Sequence, residues 1–186
     1  MPTEEMLLNG EEKMEKAVNA LKKEYGSVRT GRANPLILDK VVVDYYGAPT
    51  PLRQMSQVSV QDGQTLVITP YDKSIIKEIE KAMIKAELGI TPNSDGLVIR
   101  LTFPPLTEER RKEICKDVKK TAEDAKVAIR NIRRDMTDEL KKIEKAENLP
   151  EDAVKDNQDQ IQKLTDKYVK IIDEVSSEKE KEVMTV

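Results

Sequence analysis

The chain has 186 residues, a formal net charge of −3, and charged residues of both signs making up 36% of its length, so it lacks the net basic character that indiscriminate nucleic-acid binding needs. It contains no histidine and no tryptophan, and Phe103 is its one phenylalanine. That removes the commonest general base and metal ligand, and it removes an aromatic platform for stacking bases.

Residues 3 to 28 read as a first helix, because Met14, Val18, Leu21, Tyr25 and Val28 step by three and four. Thr3 or Asn9 would cap it, and Asn9-Gly10 weakens its first turns. The stretch Gly26-Ser27-Val28-Arg29-Thr30-Gly31-Arg32-Ala33 is a near miss to a phosphate-binding loop. Arg32 stands where lysine belongs, Ala33 offers no hydroxyl to a metal, and a helix rather than a strand precedes it. It reads as a helix end and an exit into another kind of structure.

From Asn34 the texture turns β-rich. Leu36 to Tyr46 carries β-branched and aromatic residues, and Gly47 to Pro51 reads as a turn. Gln57 to Gln61 and Gln64 to Thr69 read as strands joined at Asp62-Gly63. Asp72 or Ser74 caps a short helix whose apolar stripe is Ile75, Ile76, Ile79, Met83 and Leu88, with Gly89 as its stop. Pro92 to Gly96 is a loop, Leu97 to Phe103 a strand, and Pro104-Pro105 closes the segment.

Thr107 caps the longest helix, which runs to about Glu147 with no proline or glycine in it. Unbroken, it would be about 60 Å long. Its seam is Cys115, Val118, Ala122, Ala125, Ile129, Ile132, Met136, Leu140 and Ile143, the pattern of a helical bundle. One step past the seam runs a basic flank that includes Lys112, Lys116, Lys119, Lys126, Arg130, Arg133 and Lys141. One step before it runs an acidic flank with Asp117, Asp124, Asp135 and Glu139. Periodicity alone favours solvated flanks laced with ion pairs. The sharper reading is a track that follows a phosphate backbone. Arg134 lies one step further round, where it reaches the same surface or pairs with an acidic neighbour.

A third helix begins near Pro150 and presents Val154, Ile161, Leu164, Tyr168, Ile171, Ile172 and Val175. Asn148-Leu149 is too short a link for anything but an antiparallel hairpin, and the Lys- and Glu-rich tail beyond Ser176 is expected to fray. The predicted class is therefore α+β: an elongated three-helix bundle of residues 1–30 and 106–186, with a small β/α/β domain of residues 31–105 inserted into it. Two short connections join them, Thr30-Gly31-Arg32 and Pro104-Pro105. Both a hinge and a rigidly docked pair fit that pattern.

Cys115 sits on a helix seam, where packing rather than nucleophilic chemistry is expected, and a lone cysteine fits a reducing cytosol. No charge-free run reaches ten residues, and the N-terminus, with Glu4, Glu5, Glu11 and Glu12, resembles neither a signal nor a transit peptide.

Several strings resemble the ribosome recycling factor family. They are Arg29-Thr30-Gly31-Arg32-Ala33, Asp44 through Arg53, Pro105 through Lys112, Arg130-Asn131-Ile132-Arg133-Arg134-Asp135, and Gln162-Lys163-Leu164-Thr165-Asp166. The resemblance covers the whole chain. It implies an L-shaped two-domain body with a hinge at Thr30, Gly31, Arg32, Pro104 and Pro105. It implies a cytoplasmic, monomeric translation factor, not an enzyme, with neither cofactor nor metal. Such a factor would bind the post-termination 70S ribosome, chiefly through large-subunit ribosomal RNA. With the GTPase elongation factor G it would split the ribosome and free messenger and transfer RNA. Residue by residue, the family's RNA contacts carry over to Arg29, Arg110, Arg130 and Arg133, to which the basic flank adds Lys126 and Arg134. From the residues alone, Arg29 and Arg32 near a helix end would equally serve the helix dipole. The competing function is a helical-bundle adaptor with no RNA partner, in which the charge flanks only set helix pairing.

Overall fold

The computed structural model describes residues 1–185. The chain divides into two compact units, Met1–Tyr25 with Lys112–Thr185, and the contiguous Gly26–Arg111.

The first unit is built from three helices. Helix α1 spans Pro2–Gly26, α4 spans Glu108–Glu147 with its first turn in the other unit, and α5 spans Glu151–Met184. Each is amphipathic and buries one stripe: Met6, Gly10, Met14, Val18, Leu21 and Tyr25 from α1; Ile114, Val118, Ala122, Ile129, Met136 and Leu140 from α4; Ile161, Tyr168, Ile172 and Val183 from α5. Four of the expected α4 seam residues, Cys115, Ala125, Ile132 and Ile143, are only half-buried, and Ile114 takes the place of Cys115 at the start. Asn148, in the left-handed region at φ 49°, turns the chain between α4 and α5, and Pro150 serves as the residue before the first turn of α5.

Helix α1 starts at Pro2 and passes through Asn9-Gly10 without a break, so neither Thr3 nor Asn9 caps it. Gly10 is used for close approach. A β-carbon there would overlap Sδ, Cε and Cγ of the buried Met136, so the methionine fills the space a side chain would take. The end of α5 does not fray: the helix runs on to Met184 because Val183 is fully buried. Polar groups inside the bundle are satisfied locally. Asn157 Nδ2 donates to the Ala153 carbonyl at 2.8 Å and Thr165 Oγ1 to the Ile161 carbonyl at 2.9 Å, each four residues back. Tyr25 donates its hydroxyl to the Val118 carbonyl at 2.6 Å, tying α1 to α4. Tyr168 donates to Glu11 Oε1 at 3.1 Å, and Lys167 reaches the same carboxylate at 3.3 Å, tying α5 to α1.

The second unit holds two sheets and a helix. Strands β1 (Val42–Tyr45) and β2 (Ala48–Pro51) form a hairpin, so the stretch expected to be all turn is a strand from Ala48, with the turn confined to Tyr46-Gly47. Both turn residues have positive φ, 49° and 86°, as a two-residue hairpin turn requires. Leu36 to Lys40 is not strand: Asn34 accepts from the Leu36 amide and starts a 3-10 helix over Pro35–Lys40. Asn34 also donates to the Gly26 carbonyl, closing the end of α1. A single turn, α2 (Leu52–Met55), leads into β3 (Ser56–Gln61), which pairs with β4 (Thr65–Pro70) across Asp62-Gly63 at φ 54° and 69°.

Asp72 caps the next helix. Its carboxylate accepts from the Ser74 amide at 3.0 Å, and a 3-10 turn runs into α3 (Ile76–Lys85). That helix ends before Gly89 because Glu87 already adopts a positive φ of 52°. The expected loop at Pro92 to Gly96 contains a two-residue strand, β5 (Asn93–Ser94), which pairs with β6 (Ile99–Thr102). The four-stranded sheet has the order β3-β4-β6-β5. Leu66 and Ile68 of β4 face Leu101 and Ile99 of β6 in register, and all four are fully buried with Leu38, Val43, Leu52 and Ile79.

Replacing Gly10 with leucine should destabilise the bundle by about 1–3 kcal/mol through overpacking, and adding Met136→Ala should recover part of that loss in urea melts. Burial, followed by Glu11, pushes the Tyr168 hydroxyl up to about 12. The raised value favours the folded state below the ordinary tyrosine range near 10, and that contribution disappears as pH rises through 12. The melting temperature should therefore fall between pH 10 and 12, and Tyr168→Phe should flatten that part of the profile.

Candidate nucleic-acid interface

The basic flank of α4 separates into two classes in three dimensions. Part of it leans over α5. Lys119 Nζ lies 4.0 Å from Glu180, Lys126 Nζ lies 2.5 Å from Asp173, and Arg133 Nη1 lies 3.4 Å from Gln162 Oε1. The α5 partner moves back along its helix as the α4 residue moves forward, as antiparallel neighbours must.

Lys126 is the clearest case. Its side chain is only 16% exposed, and it reaches Glu123 at 3.3 Å as well as Asp173. The Asp173 carboxylate holds the ammonium above its usual range despite the opposing effect of burial. Lys126 is thus a clasp between two helices, because a lysine one step from the seam is within reach of the neighbouring helix. For Lys119 and Lys126 the ion-pair reading of the flank holds.

Arg130 and Arg134 are different. Both are exposed, and among the described residues neither has an ion-pair partner. Arg133 lies between the two classes: half-buried, hydrogen-bonded to a neutral amide, and so still carrying its full charge toward solvent. A guanidinium is a rigid fork suited to phosphate oxygens, and here three lie within five residues of one helix.

Arg29 and Arg110 fall in the second unit. Arg29 is half-buried, its Nε has no hydrogen-bond partner, and it lies three residues beyond the end of α1. Arg110 is exposed in the first turn of α4, where its amide donates to Thr107 Oγ1 at 3.1 Å, the expected cap. Of the expected hinge residues, Gly31 has a φ of 84° that favours glycine. Tyr45 is half-buried, with its hydroxyl 3.5 Å from Asp72, and Tyr46 is exposed in its turn.

Sequence reasoning did not single out Gln158, Asp138 or Gln162 as site residues. They become visible only when α5 is laid beside α4, where they share an open groove with Arg133 and Arg134. The one signal was Gln162, which opens one of the strings that carry the resemblance. Cys115 is no reactive group: burial pushes its thiol up, and its Sγ lies 3.9 Å from the Glu180 carbonyl. No group of metal-ligating side chains occurs among the described residues, and no helix there is long and apolar enough to cross a membrane.

A three-helix bundle interrupted by a small antiparallel sheet unit, with Arg130 and Arg134 exposed on its longest helix, defines the chain as an α+β protein. The ribosome recycling factor family model matches residues 21–184, and the chain belongs to that family. It is 57% identical over 182 residues to the ribosome-recycling factor of Bacillus velezensis, covering 98% of each chain. It is 56% identical over 184 residues to that of Bacillus subtilis, covering 99% of this chain and 100% of the other. Among solved structures, it matches a solution structure of the ribosome recycling factor with a TM-score of 0.81 at 38% identity, over 100% of this chain and 99% of that one. It also matches, with a TM-score of 0.66 at 40% identity and full coverage of both chains, a structure of the T. thermophilus ribosome recycling factor and the E. coli elongation factor G bound to the E. coli post-termination complex.

The division of the flank is testable by stability. Lys126→Met should lower the urea midpoint by the equivalent of roughly 0.5–1 kcal/mol, whereas Arg130→Gln and Arg134→Gln should leave it within about 0.5 kcal/mol of the wild type.

Proposed function

We propose that this chain binds the post-termination ribosome and, together with the GTPase elongation factor G, separates it into subunits so that messenger and transfer RNA are released for another round of initiation. It does so in the cytoplasm, as a monomer and without a cofactor. The observation that carries this reading is the family match, which extends through both structural units at more than half identity. The chain itself makes and breaks no bonds. The energy for separation comes from the partner's GTP turnover, and this protein acts as wedge and lever.

In this reading the bundle, residues 1–30 and 106–186, docks on large-subunit ribosomal RNA through Arg130, Arg133 and Arg134, with Arg29 and Arg110 contributing from beside the junction. The exposure and missing ion partners of Arg130 and Arg134 support the assignment, since each can take a phosphate without first breaking an internal pair. Double-stranded RNA is met through its backbone and shape, so the lack of aromatic platforms is no obstacle. Residues 31–105 form the lever, and Thr30, Gly31, Arg32, Pro104 and Pro105 form the hinge on which it turns.

The test is co-sedimentation with purified large ribosomal subunits across a salt series, with circular dichroism to establish folding. Wild type should bind with a steep salt slope, and an Arg130→Glu/Arg133→Glu double variant should lose at least tenfold in affinity. Equal binding by the two would overturn the assignment of the face. Failure of the wild type to separate ribosomes in the presence of elongation factor G and GTP, followed by light scattering, would overturn the function.

A further inference from the structure

The groove between α4 and α5 beside Arg133 has a volume of about 460 Å³. Its α4 wall carries Arg133, Arg134 and Asp138; its α5 wall carries Gln158 and Gln162; and the buried side chain of Ile161 closes the bottom. Thr137, also in the wall, already donates its hydroxyl to the Arg133 carbonyl at 3.0 Å.

Two features distinguish this groove from a phosphate clamp. The first is preorganisation. Gln162 Nε2 donates to Asp166 Oδ1 at 2.8 Å, while Gln162 Oε1 accepts from Arg133 Nη1 at 3.4 Å. An ionised aspartate only accepts and an arginine only donates, so the amide has one orientation that satisfies both. Asp166 thereby orients Gln162, and Gln162 holds the guanidinium plane of Arg133. The second feature is chemical mixture. A phosphate offers only acceptors and a negative charge, which Asp138 would repel. An unstacked base offers a flat face, acceptors and N–H donors together, and bases released from stacking are bound on guanidinium planes and read along their edges.

We propose that this groove seats a single unstacked RNA base, and that the base is guanine. This rests on the ribosome-binding reading above. Guanine presents the O6 and N7 acceptors to a guanidinium and the N2 amino group to a carboxylate. Arg133 or Arg134 takes the acceptor edge, Asp138 takes the amino edge, and the Gln158 amide supplies either a donor or an acceptor at the rim. The proposal gives a role to the Gln162-to-Asp166 string, whose two polar ends are joined by a hydrogen bond and aimed at Arg133.

The experiment measures affinity for purified large ribosomal subunits across a salt series for wild type, Asp138→Asn, Gln158→Ala and Arg134→Gln. All three positions are exposed, and thermal melts verify folding. Asp138→Asn and Gln158→Ala should each weaken binding roughly tenfold with the salt slope unchanged, because a base contact releases no counterions. For a phosphate in the groove the sign reverses: Asp138→Asn removes a repelling charge and tightens binding. Tighter or unchanged binding by Asp138→Asn, with wild type bound normally, overturns the base site alone. Failure of wild type to bind overturns the ribosome-binding reading and the base site with it. Substitution of Gln158 by the photocrosslinker benzoylphenylalanine tests the partner: an adduct at a guanosine of the large-subunit RNA supports the site, and an adduct only in a ribosomal protein overturns it.

Discussion

The structure of the bundle depends on one constraint: a helix of 40 residues cannot bury its apolar stripe against itself. Helix α4 exposes charge on most of its circumference and hides only a line of side chains at intervals of four and seven residues. Most stability of such a helix comes from tertiary packing rather than intrinsic propensity. Its neighbours must therefore match that line along its length. Ile129 and Leu140 are covered almost completely, and where Met136 needs room α1 supplies Gly10. A glycine would normally weaken a helix interior by about 1 kcal/mol relative to alanine. Here the methionine it admits returns apolar contact to the same spot, so a local defect becomes a packing device.

The same geometry sorts the charges. A residue one step from the seam lies at the edge of the buried stripe, close enough to reach the next helix. Lys119 and Lys126 do so, because α5 places Glu180 and Asp173 opposite them. Arg133 reaches instead one turn further along α5, to Gln162, while Asp166, which the same register brings opposite Arg133, accepts from the Gln162 amide. That guanidinium is held through a neutral amide, with the carboxylate one step behind it.

Much of this was legible in the sequence. The long helix, its Thr107 cap, the hairpin at Asp62-Gly63 and the Asp72 cap all rest on local chemistry that a linear reading contains. The misses share a cause. Gly10 read as a weakness in the first turns because its partner Met136 is distant in the chain. Ala48 to Pro51 read as a turn because two prolines mask a short edge strand, whose pairing with β1 is visible only in space. Lys126 and Arg130 occupy equivalent places in the linear pattern, yet Lys126 is clasped to Asp173 and Arg130 is exposed, a difference no linear reading contains. Val183 anchors an otherwise polar tail, which composition alone marked as frayed.

The hydrogen bond between Tyr168 and Glu11 joins residues 157 positions apart. The second structural unit is one unbroken stretch, Gly26–Arg111, so every partner its core requires has been synthesised by the time Arg111 is added. Helix α1, made first, has no such independence: its stripe waits for α4, and Glu11 waits for about the first half of α5. During synthesis the order of completion therefore inverts the order of the chain, with the inserted unit closing while the first helix still lacks its partners. The bundle assembles as one late event, and a nascent chain cut short within α5 would carry a finished insert on an unfinished bundle.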